Sequence, residues 1–390
     1  MRTLVISDLH LGASSEVDVL RRPAAQTALL AALDGVDRLV VLGDLLELRH
    51  GPMHAALEAA RPVLKAVGEA LGPDGEVVVV PGNHDFRLIS PWLEWRSRSG
   101  PEPLGLQERA GPKASTGTRA IARMVQPASL DVVYPGTWLD DGVYATHGHY
   151  LDRHVTVPSF ERLGAGVLGR LLGAPAGGAT SPDDYEVALA PMYALLDAIA
   201  QRVGDGRAAA PGNVSARAWE RLSSDGKRDA WRARVVAGAF PVAIAALNKA
   251  GIGPLKADLS GAELRRANLR AMGDVVERLG IDARHVVFGH THRSGPHPDD
   301  DAADWRVAGG VQLTNTGCWV YESMYLDRHW GSPYWPGGAV ELESGGEPRF
   351  ARLLEGVDAD ELRPPAAPLP ALSRSRSRSR PHPRADRGRH

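Results

Sequence analysis

The 390-residue sequence has one cysteine, Cys318. A single thiol excludes a disulfide framework and a zinc site built from several thiolates. Long apolar runs are also missing, because the longest, residues 235–247, has 13 residues with Pro241 among them and is too short to cross a bilayer. The opening "MRTLVISDLHLG" has a short apolar run interrupted by Asp8, unlike a signal peptide. We therefore predict a cytoplasmic protein, with peripheral membrane contact left open.

The charge is distributed unevenly along the chain. Residues 364–390 carry seven arginines and one aspartate, a charge of +6, which leaves −8 on residues 1–363 out of a net −2. An acidic body gives no support for nucleic-acid binding, so no specific nucleic-acid partner is expected. The end of the chain is Pro/Ala-rich and then reads "SRSRSRSR". Such a segment cannot bury apolar area, and we predict a disordered tail over residues 358–390.

The first 90 residues alternate between apolar runs and helical patterns. Strands are predicted at 3–7, 38–43 and 76–82, and helices at 24–33 and 53–71. Continuous Val/Ile/Leu runs between helices indicate parallel strands that are covered on both faces. The sequence therefore predicts the α/β fold class.

The remainder of the chain is less regular. Residues 87–130 are rich in Pro, Gly, Ser and Arg, which predicts a long loop or lid. Residues 132–150 predict two strands joined by a Gly/Asp turn, and residues 155–256 predict a helical insertion that is a candidate cap. Further predicted elements are helices at 183–204 and 259–280, a strand that begins at 284, and closing strands within 311–326, 337–343 and 348–355. We expect the closing strands to form a second, antiparallel-rich sheet.

Polar clusters follow the apolar strands. They are Asp8 with His10, Asp44 with Glu47, Asn83 with His84 and Asp85, His147 with His149, and His290 with His292. Each cluster alone is a weak signal, since Gly, Asn and Asp are ordinary turn residues. Ligands gather at the carboxyl ends of strands in open α/β sheets, so five such clusters predict one shared site.

The residue types in these clusters indicate the chemistry. Asp, Asn and His supply oxygen and imidazole nitrogen without thiolate, which suits Mn²⁺, Fe, Zn²⁺ or Co²⁺. There are more ligands than one ion needs. Two divalent ions about 3.5–4 Å apart can hold both the attacking and the leaving oxygen of an in-line displacement. The pattern therefore predicts hydrolysis at phosphorus.

The ordered set "DLH…GD…GNHD…H…GHTH" resembles the calcineurin-like metallophosphoesterase superfamily over residues 1–150 and 280–325. The resemblance implies a four-layer α/β/β/α metallophosphoesterase sandwich, divided here into a domain of residues 1–154 and 257–357 with the helical insertion 155–256. "DLHLG", "GDLLE" and "GNHDF" are similar to the branch of UDP-2,3-diacylglucosamine hydrolases. The chain departs from that branch at His84, where arginine is frequent, and in the length of the insertion.

The resemblance also implies roles for individual residues. The first ion would be held by Asp8, His10 and His292, the second by Asn83, His147 and His290, and Asp44 would bridge them. His84 and Asp85 form the predicted catalytic group, with His84 orienting or protonating a phosphate oxygen or leaving group and Asp85 supporting the site. His149 is either a supporting or a structural residue.

The implied activity is that of a phosphate-ester hydrolase in which metal-bound hydroxide attacks phosphorus in line. Two divalent ions are implied as cofactors, with Mn²⁺ as the first choice and Fe, Zn²⁺, Co²⁺ or Ni²⁺ as alternatives. The substrate would be a phosphorylated small molecule or a phospholipid-like molecule. A pyrophosphatase acting on nucleotide diphosphates and a non-catalytic scaffold remain alternatives, and the oligomeric state is open.

Overall fold

The computed structural model describes residues 1–100, 102–155, 178–203, 261–323, 326 and 330–365. Within these residues ten strands form a single mixed sheet. The strands are β1 (Arg2–Ile6), β2 (Arg38–Leu42), β3 (Glu76–Val80), β4 (Gln107–Arg109), β5 (Ser129–Asp140), β6 (Val143–Thr146), β7 (His285–Phe288), β8 (Gln312–Asn315), β9 (Gly338–Glu343) and β10 (Arg349–Arg352).

Helices lie between and beside these strands. They are α1 (Pro23–Ala32), α2 (Met53–Leu71), α3 (Ser90–Arg98), α4 (Thr116–Met124), α5 (Pro182–Val203), α6 (Gly261–Arg278) and the short α7 (Ala359–Leu362). No helix within the described ranges has both the length and the apolar character that a membrane span requires.

The sheet has two halves that meet in the long strand β5. The strand order is β10-β9-β1-β2-β3-β5-β6-β7-β8, with β4 paired to β5. Strands β1, β2, β3 and the first part of β5 run parallel, whereas β6 returns antiparallel to the second part of β5. Strands β7 and β8 continue parallel to β6. The carboxyl ends of β3 and β6 are therefore both directed towards the middle of β5.

Both faces of the sheet are buried, which confirms the α/β prediction. Along β1, Leu4 and Ile6 belong to one apolar cluster and Val5 belongs to another. The cluster of Val5 draws on both halves of the sheet, from Val40 to Val287, so it lies between two β layers. The other cluster includes residues of α1, α2 and α6, so helices cover the outer faces. Alternation of side chains along each strand creates these two apolar surfaces.

The prediction of a long loop over residues 87–130 was wrong. This segment contains α3, β4 and α4, and β5 begins at its end. Helix α4 begins with a capping box in which Ser115 and Thr118 satisfy each other's backbone N–H groups. Helix α3 has no fully buried residue, so it carries little of the apolar periodicity by which a helix is recognised.

The prediction of a second, antiparallel-rich sheet was also wrong. Strand β9 pairs antiparallel with β1, and β10 pairs with β9, so both extend the first half of the sheet. Strand β8 pairs parallel with β7 and is shorter than the predicted run. The sequence pattern marks an apolar strand but contains no information about its partner at the edge of a sheet.

The first residues of the predicted tail form a short helix. The chain stays ordered beyond residue 357, because α7 buries Leu362 completely, so the tail predicted from residue 358 does not begin there. Helix α5 confirms the helix predicted at 183–204. The rest of the predicted insertion, 156–177 and 204–256, and the tail 366–390 lie outside the described residues.

Candidate metal centre

The backbone bends unusually where the clusters follow their strands. Six non-glycine residues of the described chain have left-handed φ angles, and five of them belong to the predicted site. These five are Asp8 (φ 54°), His10 (45°), Asp44 (53°), His290 (68°) and His292 (58°). Left-handed φ costs of order 1–3 kcal/mol at a non-glycine residue and concentrates at functional sites. The fold therefore accepts local strain in order to direct these side chains to one place.

The first group of side chains joins the end of β1 to the loop after β7. Ligand-type atoms of Asp8, His10 and His292 lie within 4.8 Å of one another. The Nε2 atoms of His10 and His292 are 3.1 Å apart, and Asp8 Oδ1 lies 3.4 Å from His292 Nε2. Asp8 and His10 are almost completely buried, whereas His292 is partly exposed.

The second group joins the ends of β2, β3, β6 and β7. Ligand-type atoms of Asp44, His147 and His290 also lie within 4.8 Å of one another. Asn83 Oδ1 lies 3.0 Å from His147 Nε2. Asp44 Oδ2 is 3.4 Å from His147 Nε2 and 3.7 Å from His10 Nε2, so this carboxylate lies between the two groups.

Glycines make this close approach possible. A Cβ atom at Gly43 would collide with the His147 ring, and one at Gly82 would collide with Asp44. Gly43 also has a φ of +78°, in the left-handed region that favours glycine. The glycines of the "GD" and "GN" pairs are therefore required by the packing of the site.

Hydrogen bonds on the outer side of the rings set the orientation of three histidines. His10 Nδ1 donates to Glu47 Oε2 (3.1 Å), His147 Nδ1 donates to the Leu42 carbonyl (2.8 Å), and His290 Nε2 donates to Asp152 Oδ1 (2.9 Å). The other ring nitrogen of each neutral imidazole then presents a lone pair to the cluster. Metal-binding histidines in proteins are oriented in this way.

The arrangement fits cations. One terminal atom of the Asn83 amide lies 3.0 Å from His147 Nε2, 3.2 Å from His290 Nδ1 and 3.3 Å from Asp44 Oδ2. Asp8 Oδ1 is fully buried and makes no hydrogen bond within the described part of the chain. Its partner oxygen Oδ2 accepts from Ser7 Oγ and from the His290 backbone N–H. An unsatisfied buried carboxylate oxygen among oxygen and imidazole ligands is an environment that a divalent ion satisfies.

The charges of the cluster shift the pKa values of its members. Burial alone would lower the pKa of His10, but the Glu47 hydrogen bond and the charges of Asp44, Glu47 and Asp8 outweigh it and raise this pKa to about 10. Burial would also lower the pKa of His147, but the charge and the hydrogen bond of Asp44 outweigh it and raise this pKa to about 9. Burial would raise the pKa of Asp44, but the neighbouring histidines hold it well below its usual value. Without metal, protonated histidines thus supply the positive charge that balances the carboxylates of this cluster.

His84 lies at the edge of the cluster. Its backbone N–H donates to Asp44 Oδ1 (2.8 Å), and its Nδ1 donates to Glu47 Oε2 (2.8 Å). Arg49 Nη1 donates to His84 Nε2 (3.1 Å). Burial and the charge of Arg49 lower the pKa of His84 to about 4, so the imidazole is neutral at pH 7. The side chain is 22 % exposed, which leaves a path to solvent.

Asp85 and His149 lie behind the cluster. Asp85 is fully buried and accepts backbone N–H groups of Gly82 (2.7 Å) and Leu45 (2.8 Å), so it connects the loops after β3 and β2. His149 Nε2 donates to the Tyr134 hydroxyl (3.2 Å). Burial holds the pKa of His149 well below its usual value. Asp85 therefore holds the loops after β2 and β3 together, and His149 holds the segment after β6 against β5.

Four contacting residues received no role from the sequence: Ser7, Glu47, Arg49 and Asp152. Glu47 stands three residues after Asp44 in "GDLLE", and this spacing was a usable signal. Asp152 lies in a segment without a motif, and its partner His290 is 138 positions away. Only the folded chain reveals that contact.

A mixed α/β sandwich with such a cluster at its strand ends defines the class of proteins with a metallophosphoesterase fold. Residues 1–190 match the family model of the calcineurin-like phosphoesterases, which supports that superfamily for this chain. The matched segment includes the clusters from Asp8 to His147 and excludes His290 and His292. No curated protein matches the chain.

Seventeen chains of solved structures match. One is the cold-active protein-tyrosine phosphatase of a psychrophile, Shewanella sp., with 12 % identity, coverage of 90 % of this chain and 78 % of that chain, and a TM-score of 0.29. A point mutant of a cold-active protein tyrosine phosphatase has 13 % identity, coverage of 88 % and 75 %, and a TM-score of 0.27.

Proposed function

We propose that this protein hydrolyses phosphate esters with the help of two divalent metal ions. The observation that carries the proposal is the position of Asp44 between two separate groups of ligand-type side chains, 3.7 Å from His10 Nε2 and 3.4 Å from His147 Nε2. A shared carboxylate is what a pair of adjacent ions requires. The match of residues 1–190 to the phosphoesterase family supports the same reaction class.

In this proposal each ligand has a defined place. Asp8, His10 and His292 would hold the first ion, Asn83, His147 and His290 would hold the second, and Asp44 would serve both. When bound, two such ions polarise a phosphoryl oxygen and lower the pKa of water to near neutrality. Glu47, Asp152 and the Leu42 carbonyl hold the histidine rings in the orientation that binding needs.

His84 and Arg49 would meet the substrate. A neutral His84 has no spare proton to donate at pH 7, which favours an orienting role over general-acid catalysis. The Arg49 guanidinium, 3.1 Å from His84 Nε2, supplies positive charge beside the cluster for a phosphate oxygen. Asp85 acts as a positioning residue that keeps Asn83 and Asp44 in register through the backbone.

The first experiment measures hydrolysis of an aryl phosphate monoester and diester by the purified full chain with Mn²⁺, Co²⁺, Ni²⁺ or Zn²⁺. We expect turnover with at least one metal and a loss of orders of magnitude in Asp44→Asn, with unchanged far-ultraviolet circular dichroism. Asp74→Asn, in an exposed turn, is the matched control and should retain wild-type activity. Absence of turnover with every metal, together with absence of copurified metal, would refute the proposal.

The substrate class needs a second experiment. A panel of phosphomonoesters, cyclic nucleotides, UDP-sugars and phospholipids compares a small-molecule substrate with a phospholipid-like one. We propose Mn²⁺ as the native metal because the ligands are oxygen and imidazole nitrogen. Cleavage of UDP-sugars alone would favour the pyrophosphatase alternative, whereas cleavage of simple esters would favour the phosphoesterase.

A further inference from the structure

Helix α5 packs against the short 3-10 turn of residues His149–Arg153, which follows His147 and is called here the His149–Arg153 turn. Glu186 on this helix accepts hydrogen bonds from the hydroxyls of Tyr134 and Tyr150, each at 2.6 Å. The rings of Tyr185 and Tyr150 stack with centroids 4.6 Å apart and planes 9° from parallel. The turn is therefore held to the helix by the Tyr150 hydrogen bond and by the aromatic stack, while Tyr134 joins β5 to the same carboxylate oxygen.

The same turn supports both histidines of the proposed second ion. Asp152 lies in the turn, is 6 % exposed, and accepts from His290 Nε2 at 2.9 Å. His149 opens the turn, and its ring centroid is 5.5 Å from that of His147. A shift of the turn would therefore turn the His290 ring and change the packing around His147.

The proposed first ion has different support. His10 donates to Glu47, in the loop after β2, and Asp8 accepts from Ser7, the residue before it, and from the backbone N–H of His290. None of these contacts is made by a residue of the His149–Arg153 turn. A disturbance of α5 therefore has a direct route to the second ion's ligands through Asp152.

Glu186 itself is placed at a cost. Burial raises its pKa to about 7 in spite of the hydrogen bonds from the two tyrosines. In the described part of the chain this partly buried carboxylate is satisfied by phenol groups and not by a cation, although removing a carboxylate from water costs free energy. If this contact only held the turn to the helix, a neutral acceptor or apolar packing in place of the carboxylate would do so equally well.

We propose that Glu186 is a positioning residue for the second metal ion, acting through the His149–Arg153 turn and Asp152 on His290. The inference rests on the proposed function, because it assumes that the site binds two ions. It assigns to helix α5, within the predicted helical insertion 155–256, a role in assembling the metal centre.

The test is a calorimetric titration of the metal-free full chain with Mn²⁺. Wild type should show two binding events. Glu186→Ala should leave the affinity of one event unchanged and weaken the other by about 10–100-fold, the range for residues that orient metal ligands. Val187→Ala, an exposed position of the same helix, is the control and should match wild type. Selective loss of one event distinguishes positioning from a general loss of stability.

Glu186→Gln provides the second variant, since its amide oxygen still accepts from both tyrosines. We expect selective weakening that is smaller than in Glu186→Ala. If Glu186→Ala does not fold, the glutamine variant decides alone: selective weakening supports the inference and wild-type binding overturns it. Equal weakening of both events, or two unchanged events in a folded alanine variant, also overturns it. A wild-type chain that binds no Mn²⁺, Co²⁺, Ni²⁺ or Zn²⁺ would instead refute the proposed function itself.

Discussion

The two halves of the metal centre differ in the sequence separation between the ligands and the residues that support them. Around the proposed first ion, Ser7 stands next to its partner Asp8, and Glu47 stands 37 positions from its partner His10, in the loop of the neighbouring strand. Around the proposed second ion, His290 depends on Asp152, 138 positions away. The first half is therefore assembled by strand ends and their own loops, whereas the second half depends on a turn that helix α5 holds in place.

This difference predicts that the two ions respond to different substitutions. Strand ends are fixed by the sheet, whose hydrogen bonds and two buried faces resist displacement. A 3-10 turn has fewer internal hydrogen bonds and takes its position from its neighbours. The second ion should therefore be the one that is sensitive to changes far from the ligands.

The largest effect is expected for Glu47→Ala. Glu47 Oε2 accepts from both His10 Nδ1 and His84 Nδ1, so its loss leaves two buried N–H groups without a partner. We expect the first Mn²⁺ to bind roughly 100-fold more weakly, with a parallel loss of activity, measured by calorimetry and by aryl phosphate turnover. Glu58→Ala, exposed on α2, is the control. Weakening confined to the second ion would contradict the assignment.

The next effect concerns pH and applies to both halves alike. His10 and His147 have pKa values raised to about 10 and about 9, so both are protonated at pH 7 in the metal-free protein. Metal binding needs neutral imidazole, so each ion should displace about one proton, and affinity should rise about tenfold per pH unit from pH 6 to 8. The gain should level off above these pKa values.

Calorimetry in buffers of different ionisation enthalpy counts the released protons. Release of about one proton in each event would show that the two halves share this feature. An event without proton release would show that its histidine is already neutral, so the two halves would differ in their dependence on pH.

A smaller effect, confined to the second ion, is expected for Asp152→Asn. The substitution keeps an acceptor oxygen for His290 Nε2 but removes the charge that favours this hydrogen bond. We expect the second Mn²⁺ to bind about tenfold more weakly, while the first event stays unchanged in the same titration. Asp141→Asn, in the exposed turn between β5 and β6, is the control. An equal change in both events would argue against separate support.

The smallest effect is expected for Ser7→Ala. It removes one hydrogen bond to Asp8 Oδ2, while the His290 backbone N–H still donates to that oxygen at 2.9 Å. One such bond is worth about 1 kcal/mol, which corresponds to roughly fivefold weaker binding of the first ion. Ser97→Ala, exposed on α3, is the control. A loss of affinity larger than that of Glu47→Ala would mean that Ser7 supports the first ion more strongly than Glu47 does.

Much of the fold could be predicted where a pattern is local. The valine and leucine runs of β1, β2 and β3 are buried on both faces, and this produces the continuous apolar pattern that indicates parallel strands. The segment with α3 and α4 was missed because α3 buries no residue completely. The partner of β9 was missed because any apolar strand can complete the edge beside β1.

The candidate site shows the same division. Asp8, Asp44 and Asn83 each follow an apolar strand directly, so their convergence could be expected from strand direction alone. Arg49 beside His84 could not be expected, because an arginine in a loop has no pattern that indicates its contact. The hydrogen bonds that Tyr134 and Tyr150 donate to Glu186 could not be predicted either, since they join three separate segments of the chain.

The sequence by itself determined which residue types stand at the strand ends, and hence the chemistry that the protein offers: oxygen and imidazole ligands without thiolate. Only the tertiary structure decided how these residues are held. Apolar periodicity is a property of neighbouring residues and is written in the order of the chain. The outer hydrogen bonds of His10, His147 and His290 join residues from separate segments, so they exist only in the folded chain, and the bond from His147 to the Leu42 carbonyl joins the two halves of the sheet.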